Sequence, residues 1–130
     1  MSRSDSSTPL AKVRGLGSAH HGGHHWLEER FTSIGLVFLS TWLLFSLVML
    51  PALDRGTVGE WLGSAWGAVP MALFIITAFK HGLDGLKVVV DDYVHEDGTR
   101  IGIHFALTMA AIAGASISLF ALAKIAFGAN

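Results

Sequence analysis

The sequence predicts an all-α membrane protein with three transmembrane helices and a polar N-terminal arm. Only 15% of its 130 residues are charged, and the mean hydropathy is +0.53; an average soluble domain has about 25% charged residues. Three stretches of 20, 19 and 23 residues contain no Asp, Glu, Lys or Arg: Phe31–Leu50, Trp61–Phe79 and Ile101–Ala123. About 20 helical residues cross a hydrocarbon core of about 30 Å. A soluble globular domain and a disordered chain are therefore excluded.

The chain divides into an arm, residues 1–30, and a membrane domain, residues 31–130, whose helices are predicted over about residues 31–50, 61–90 and 101–126. The Ser, Gly and His content of the arm and its lack of apolar periodicity predict an extended or partly ordered segment. Pro51 ends the first helix, and a short turn around Asp54 follows it. Pro70 predicts a kink in the second helix.

The distribution of basic residues predicts the orientation in the membrane. Seven of the nine Lys and Arg residues belong to the arm, to the end of helix two or to the stretch Lys87–Arg100, and the other two are Arg55 and Lys124. The more basic side of a membrane protein faces the cytoplasm, so we expect a cytoplasmic N-terminus. The arm lacks the apolar region of a secretory signal and a convincing import signal. We therefore expect the bacterial inner (plasma) membrane, with the mitochondrial inner membrane as the alternative.

Composition also excludes several kinds of chemistry. The chain has no cysteine, which excludes disulfides, iron–sulfur ligation, Cys-type zinc sites and covalently attached c-type haem. A net charge of −1 and a pI of about 6.6 give no support for a nucleic-acid partner. Three membrane-spanning helices can seldom enclose a site alone, so we expect a partner chain. The pair Ala110 and Gly114 allows close helix packing, either within this chain or against another one.

The end of helix two carries the polar side chains that could do chemistry. Lys80 and Asp84 are four residues apart, a spacing at which opposite charges neutralise each other; Lys87 and Asp91 repeat it. His81 has no such obvious partner, and a neutral imidazole offers the lone pair that a haem iron needs as an axial ligand. The alternative for His81 is an ordinary hydrogen-bonded residue at the membrane interface.

Residues near His81 extend this interpretation. Gly85, one turn further on, leaves flat space against the backbone, as a porphyrin face requires, although glycine is also common in membrane helices. Asp92 and Tyr93 close the segment. A phenol is a good donor to a quinone carbonyl and a carboxylate beside it could relay protons, whereas an interfacial tyrosine needs no special function. In a regular helix His81 and Tyr93 lie about 18 Å apart along the axis, which favours two sites over one.

This segment resembles a known family. His81, Gly85 and Asp92-Tyr93 are spaced as in the second membrane helix of the small hydrophobic membrane anchor of succinate dehydrogenase (respiratory complex II). Upstream, the sequence His24-His25-Trp26, which leads to Arg30 and Thr32 just before helix one, is similar to the entry motif of that family. The resemblance covers about Gly15 to the C-terminus.

The resemblance implies half of a two-chain haem-binding helix bundle. The other half would be a second membrane anchor, a cytochrome b556-like chain, and a haem b would lie between the two chains. By motif match His81 is the axial ligand of the haem iron, and Arg30 lies near the haem propionates. By the same match Tyr93 would hydrogen-bond ubiquinone, and Asp92 would lie near it.

The function implied is membrane anchoring of succinate:ubiquinone oxidoreductase, in electron transfer from succinate to quinone. The chain would dock the iron–sulfur and flavoprotein subunits, which hold the iron–sulfur clusters and FAD, and would not itself be catalytic. Two alternatives remain open: a fumarate reductase anchor and a non-redox small membrane scaffold. The His20–His25 cluster could bind metal adventitiously; His95 and His104 receive no role.

Overall fold

A computed structural model describes residues 8–10 and 22–128 of the chain. Residues 22–128 form four helices joined by short connections, and none of the described residues is in a strand. The helices are α1 (Gly22–Met49), α2 (Arg55–Gly63), α3 (Ala65–Tyr93) and α4 (Asp97–Ala126). The predicted all-α class is thus observed.

Two of the helices, Trp26–Met49 in α1 and Asp97–Ala126 in α4, are long and apolar enough to cross a membrane. Helices α2 and α3 meet this criterion only together, as a pair bent by 87°. The structure therefore has two candidate spans, or three when the bent pair counts as one. The three-span arrangement stays a prediction.

Helix α1 begins at Gly22, nine residues before the predicted start of the first membrane helix. Hence the last part of the predicted arm, which was expected to be extended or partly ordered, is helical. The physical reason is that Leu27, Glu28, Glu29 and Arg30 all have high helix propensity, so the apolar helix continues into this polar segment. The rest of the arm, apart from residues 8–10, lies outside the described residues.

The predicted turn after Pro51 contains helix α2, which begins behind an N-cap. The Asp54 carboxylate accepts hydrogen bonds from the backbone N–H groups of Gly56 at 2.9 Å and Thr57 at 3.0 Å. The hydrogen bonds from the Thr57 backbone and hydroxyl hold the pKa of Asp54 below its usual value. The two backbone hydrogen bonds satisfy N–H groups of the first helical turn, which have no partner inside the helix.

The sequence predicted a kink at Pro70. The strong bend of this region lies six residues earlier, at Ser64, between α2 and α3. The Ser64 N–H ends α2 by bonding to the carbonyls of Glu60 and Trp61, and its hydroxyl accepts from the N–H of Gly67 at 3.1 Å. A Cβ on Gly67 would overlap the Trp61 carbonyl oxygen. Close approach of the two helix ends therefore requires glycine here.

Helix α3 is central: it packs against both α1 and α4, whereas no Cα atoms of α1 and α4 lie within 8 Å of each other in residues 22–128. A Cβ on Gly114 would lie 2.6 Å from the Phe79 ring, so Gly114 serves packing within this chain. The Trp42 ring of α1 stacks on the Trp61 ring of α2, with 5.5 Å between the ring centroids.

The chain has almost no core of its own. Among residues 26–128, the buried ones are Gly67, Asp84 and Leu122. Large apolar side chains are exposed along the helices; examples are Phe38, Val48, Ile112, Ile117 and Phe120. Exposed apolar area on this scale is unfavourable in water, so these faces belong against lipid or another chain.

Candidate functional site

His81 and Thr32 form a hydrogen bond that joins the central helix to α1. The Thr32 hydroxyl oxygen lies 3.1 Å from His81 Nδ1, and both side chains are half-buried. No partner for His81 was evident in the sequence, because Thr32 lies 49 residues earlier in the chain. The structure thus fixes the orientation of an imidazole predicted to be a ligand.

The same hydroxyl has two backbone acceptors of its own within reach. Thr32 Oγ1 is 3.1 Å from the backbone carbonyl oxygens of both Glu28 and Glu29. A hydroxyl has one proton and two lone pairs; with its proton donated to one of these carbonyls, it would accept from Nδ1–H of His81. In that tautomer Nε2 would keep its lone pair and could bind a metal.

The surface beside His81 has room for a flat group. A Cβ added to Gly82 or to Gly85 would meet nothing within 4 Å. Gly85 lies one turn from His81 and is exposed. The backbone at this turn can therefore be approached closely from outside the chain.

The predicted ion pair between Lys80 and Asp84 is confirmed. The Lys80 ammonium contacts the Asp84 carboxylate and also lies 3.8 Å from Glu28 Oε2 of α1. The Asp84 side chain is 11% exposed and that of Lys80 is 47% exposed. A carboxylate this deeply buried needs a partner, so the pair is structural, and the contact of Lys80 with Glu28 links α3 to α1.

The predicted pairing of Lys87 with Asp91 is not found among the described residues. Asp91 Oδ1 lies instead 3.2 Å from His104 Nε2 and 3.9 Å from Arg100 Nε, both on α4. The physical reason is that α3 packs against α4 at this turn, which brings cross-helix partners closer to Asp91. His104, which had no predicted role, thus contributes to the α3–α4 contact.

Tyr93 and Asp92 end α3 on an open surface. The Tyr93 side chain is 79% exposed, and Asp92 is exposed as well. Neither side chain has a hydrogen-bond partner within residues 22–128, so the phenol remains available to an incoming acceptor. Twelve residues of helix, about 18 Å, separate Tyr93 from His81. The structure therefore keeps the two predicted sites apart.

Arg30 lies on the outer side of α1. Its guanidinium carbon is 5.1 Å from the centre of the Trp26 ring, a cation–π contact. Because Thr32 is two residues further on, the two side chains point about 160° apart around the helix. Arg30 is therefore directed away from the contact with His81.

No group of three or more His, Asp or Glu side chains that could hold a metal ion occurs in the part of the chain that the structure describes. The side chains of the His20–His25 cluster lie outside that part. His95 is exposed, two residues after Tyr93.

The sequence matches a known family of proteins. The family described as succinate dehydrogenase/fumarate reductase transmembrane subunit matches residues 4–119, and the chain belongs to this family.

Individual relatives show which transmembrane subunit the chain is similar to. The succinate dehydrogenase hydrophobic membrane anchor subunit of Rickettsia bellii (strain RML369-C) is 33% identical over 90 residues, 69% of this chain and 72% of the relative. The protein of the same name from Paracoccus denitrificans is 28% identical over 124 residues, 94% of each chain. The succinate dehydrogenase membrane anchor subunit of Reclinomonas americana is 30% identical over 94 residues, 70% of this chain and 78% of the relative. The resemblance to membrane anchor subunits of succinate dehydrogenase is confirmed.

Proposed function

We propose that this chain anchors a succinate:ubiquinone oxidoreductase in a bacterial inner membrane, with its N-terminus in the cytoplasm. It pairs with a second, cytochrome b556-like anchor and docks the iron–sulfur and flavoprotein subunits, which hold the iron–sulfur clusters and FAD. The names of the relatives support succinate dehydrogenase over a fumarate reductase anchor or a non-redox scaffold. The nearly coreless fold supports a partner, because its apolar faces are open.

The hydrogen bond between Thr32 and His81 is the observation that carries the proposed haem site. A histidine ligand of a metal almost always donates its second ring N–H to a nearby acceptor, and Thr32 Oγ1 lies within hydrogen-bond distance of Nδ1 and could accept from it. His81 Nε2 would hold the iron of a haem b, and the open surface at Gly85 would face the ring. The bound haem supplies a one-electron carrier.

Arg30 is proposed to lie near the haem propionates. A guanidinium can bind a carboxylate through two parallel hydrogen bonds. The Trp26 ring holds the Arg30 side chain at the surface of α1, and Arg30 has no acidic partner within residues 22–128. A propionate bound by Arg30 would lie on the outer side of α1, where this side chain points away from the contact with His81.

The proposed ubiquinone site uses the exposed end of α3. Reduction of ubiquinone takes up two electrons and two protons, and the carbonyl oxygens gain negative charge as the electrons arrive. The Tyr93 hydroxyl donates a hydrogen bond to one carbonyl, and this bond strengthens as the charge develops. The Asp92 carboxylate beside it can pass a proton towards the same oxygen.

The visible spectrum of the purified complex tests the haem site. The change His81→Tyr removes the imidazole, so we expect the b-type haem absorption to be altered or lost in both oxidation states. The matched control is His95→Tyr, at an exposed histidine outside the helices, which should leave the spectrum unchanged. A His81→Tyr complex with oxidised and reduced spectra like those of the parent would assign the ligand to another residue.

A further inference from the structure

A groove of about 970 Å³ lies at the end of the bundle opposite to Tyr93. It runs between α2 and the last turn of α4, where the two helices approach so closely that a Cβ on Gly63 would lie 3.8 Å from the Ile125 carbonyl oxygen. Its apolar wall includes Val58, Leu62 and Ile125. The groove is separate from the haem and ubiquinone sites proposed above.

Two basic side chains line this groove. They are Arg55 and Lys124, the two cations that the sequence assigns to this side of the membrane. Within residues 22–128 neither forms an ion pair. Lys124 is in the last turn of α4, where a cation stabilises the helix dipole, but Arg55 is in the first turn of α2, where a cation is unfavourable. Helix stability therefore does not account for Arg55.

The groove also has a carboxylate, Glu60. Two cations and one carboxylate give the lining a net charge of +1. One phosphodiester group carries a single negative charge and would neutralise it. A free polyvalent anion would match the lining less well, because Glu60 would repel the excess charge.

With α3 as a membrane span, the orientation of α2 would bring the groove to the level of lipid headgroups. Because α2 makes an angle of 87° with α3, and α3 packs alongside the candidate span α4, α2 would then run nearly parallel to the membrane surface. Its cations then lie at the boundary between headgroups and acyl chains, where basic residues attract anionic lipids. The apolar wall can contact the first carbons of an acyl chain.

We propose that this groove binds one anionic phospholipid, with the phosphodiester between Arg55 and Lys124 and an acyl chain along the wall of Val58 and Ile125. The occupant comes from the leaflet opposite to the Tyr93 end of α3. Charge complementarity and the position of the interfacial helix select a lipid headgroup.

The experiment measures retention of phosphatidylglycerol by the whole complex. Purified complex is stripped of lipid in neutral detergent and titrated with phosphatidylglycerol, and bound lipids are counted by native mass spectrometry. The double change Arg55→Gln/Lys124→Gln should weaken one site by roughly 25-fold, about fivefold for each cation near an anionic lipid. The matched control Lys87→Gln removes one cation from the other end of α3 and should retain the lipid.

Two further arms identify the occupant. Phosphatidylcholine should bind more weakly than phosphatidylglycerol, and inorganic phosphate should not displace the lipid. A photoreactive side chain introduced at Val58 should cross-link to phospholipid. Equal lipid retention by the double variant and the parent, displacement by inorganic phosphate, or a cross-link from position 58 to another protein of the complex would each overturn the proposal.

Discussion

Thr32 Oγ1 lies 3.1 Å from His81 Nδ1, and one turn earlier on α1 the Glu28 carboxylate lies 3.8 Å from the Lys80 ammonium. Two neighbouring residues of α3 are thus held by residues one turn apart on α1. These contacts restrict the rotation of α3 about its axis and its position along that axis relative to α1. The orientation of the proposed haem ligand therefore depends on helix one.

Replacement of Thr32 should change the electronic properties of the haem without loss of the cofactor. In Thr32→Val the His81 Nδ1–H loses its acceptor, the imidazole becomes a weaker donor to the iron, and the haem midpoint potential should rise. One hydrogen bond of about 0.5–1.5 kcal/mol corresponds to roughly 20–65 mV for one electron. A spectroelectrochemical titration measures the shift. Thr32→Ser keeps the hydroxyl and is the control; equal potentials in both variants would contradict the assignment.

Replacement of Tyr93 should impair ubiquinone reduction while assembly is maintained. Tyr93→Phe removes only the hydroxyl of an exposed side chain, so the fold and the haem spectrum should be unchanged. Loss of one hydrogen bond that strengthens during reduction should lower kcat/KM for ubiquinone roughly tenfold, about 1.4 kcal/mol. Steady-state kinetics with a water-soluble ubiquinone analogue test this. Wild-type kinetics in Tyr93→Phe would remove the phenol from the site, and His95→Gln, two residues later, should behave as the parent.

The pair of Lys80 and Asp84 should tolerate joint replacement better than single replacement. Asp84→Leu leaves the Lys80 ammonium without its nearest carboxylate. Breaking a fully buried pair costs about 3–5 kcal/mol; because Lys80 is 47% exposed, we expect on the order of 1–2 kcal/mol. The double variant Lys80→Met/Asp84→Leu should recover most of this loss. Thermal unfolding of the complex measures it, and a double variant less stable than Asp84→Leu would show that the ion pair is not the reason.

A side chain at Gly114 should separate α3 from α4. A Cβ there would lie 2.6 Å from the Phe79 ring, so Gly114→Ala should cost about 1–3 kcal/mol through overpacking. Gly102→Ala is the control on the same helix, since a Cβ at Gly102 meets nothing within 4 Å; it should be neutral or slightly stabilising. The smaller side chain of Phe79→Leu should partly rescue Gly114→Ala. Equal unfolding temperatures for Gly114→Ala and Gly102→Ala would contradict the close packing.

Features that depend on one segment were predictable from the sequence. Uncharged runs marked the long apolar helices, and the spacing of Lys80 and Asp84 predicted their ion pair because both lie on one helix. The start of α1 was predicted too late, because the prediction followed the apolar run that begins at Phe31. The polar residues just before it also have high helix propensity. The bend at Ser64 depends on a cap and on Gly67, neither of which has a distinctive pattern.

Contacts between helices were not predictable, because they depend on which faces meet. Asp91 is four residues from Lys87, yet it lies against His104 of α4. Thr32 was noted only as part of a motif before helix one, and its contact with His81 needs the packing of α1 on α3. His81 was singled out as a ligand candidate because, unlike Lys80 and Asp84, it had no evident partner on its own helix. The threonine that orients it carries no such signal.

Helix α3 packs against both α1 and α4, and most of the large apolar side chains of the described residues remain open. A newly inserted copy has almost no core to stabilise it, so we expect its stability in the cell to depend on how soon a partner chain covers its apolar surface. Surplus copies should then be recognised by membrane proteases as orphans. The abundance of this protein should therefore follow the supply of its partner more closely than the rate of its own synthesis.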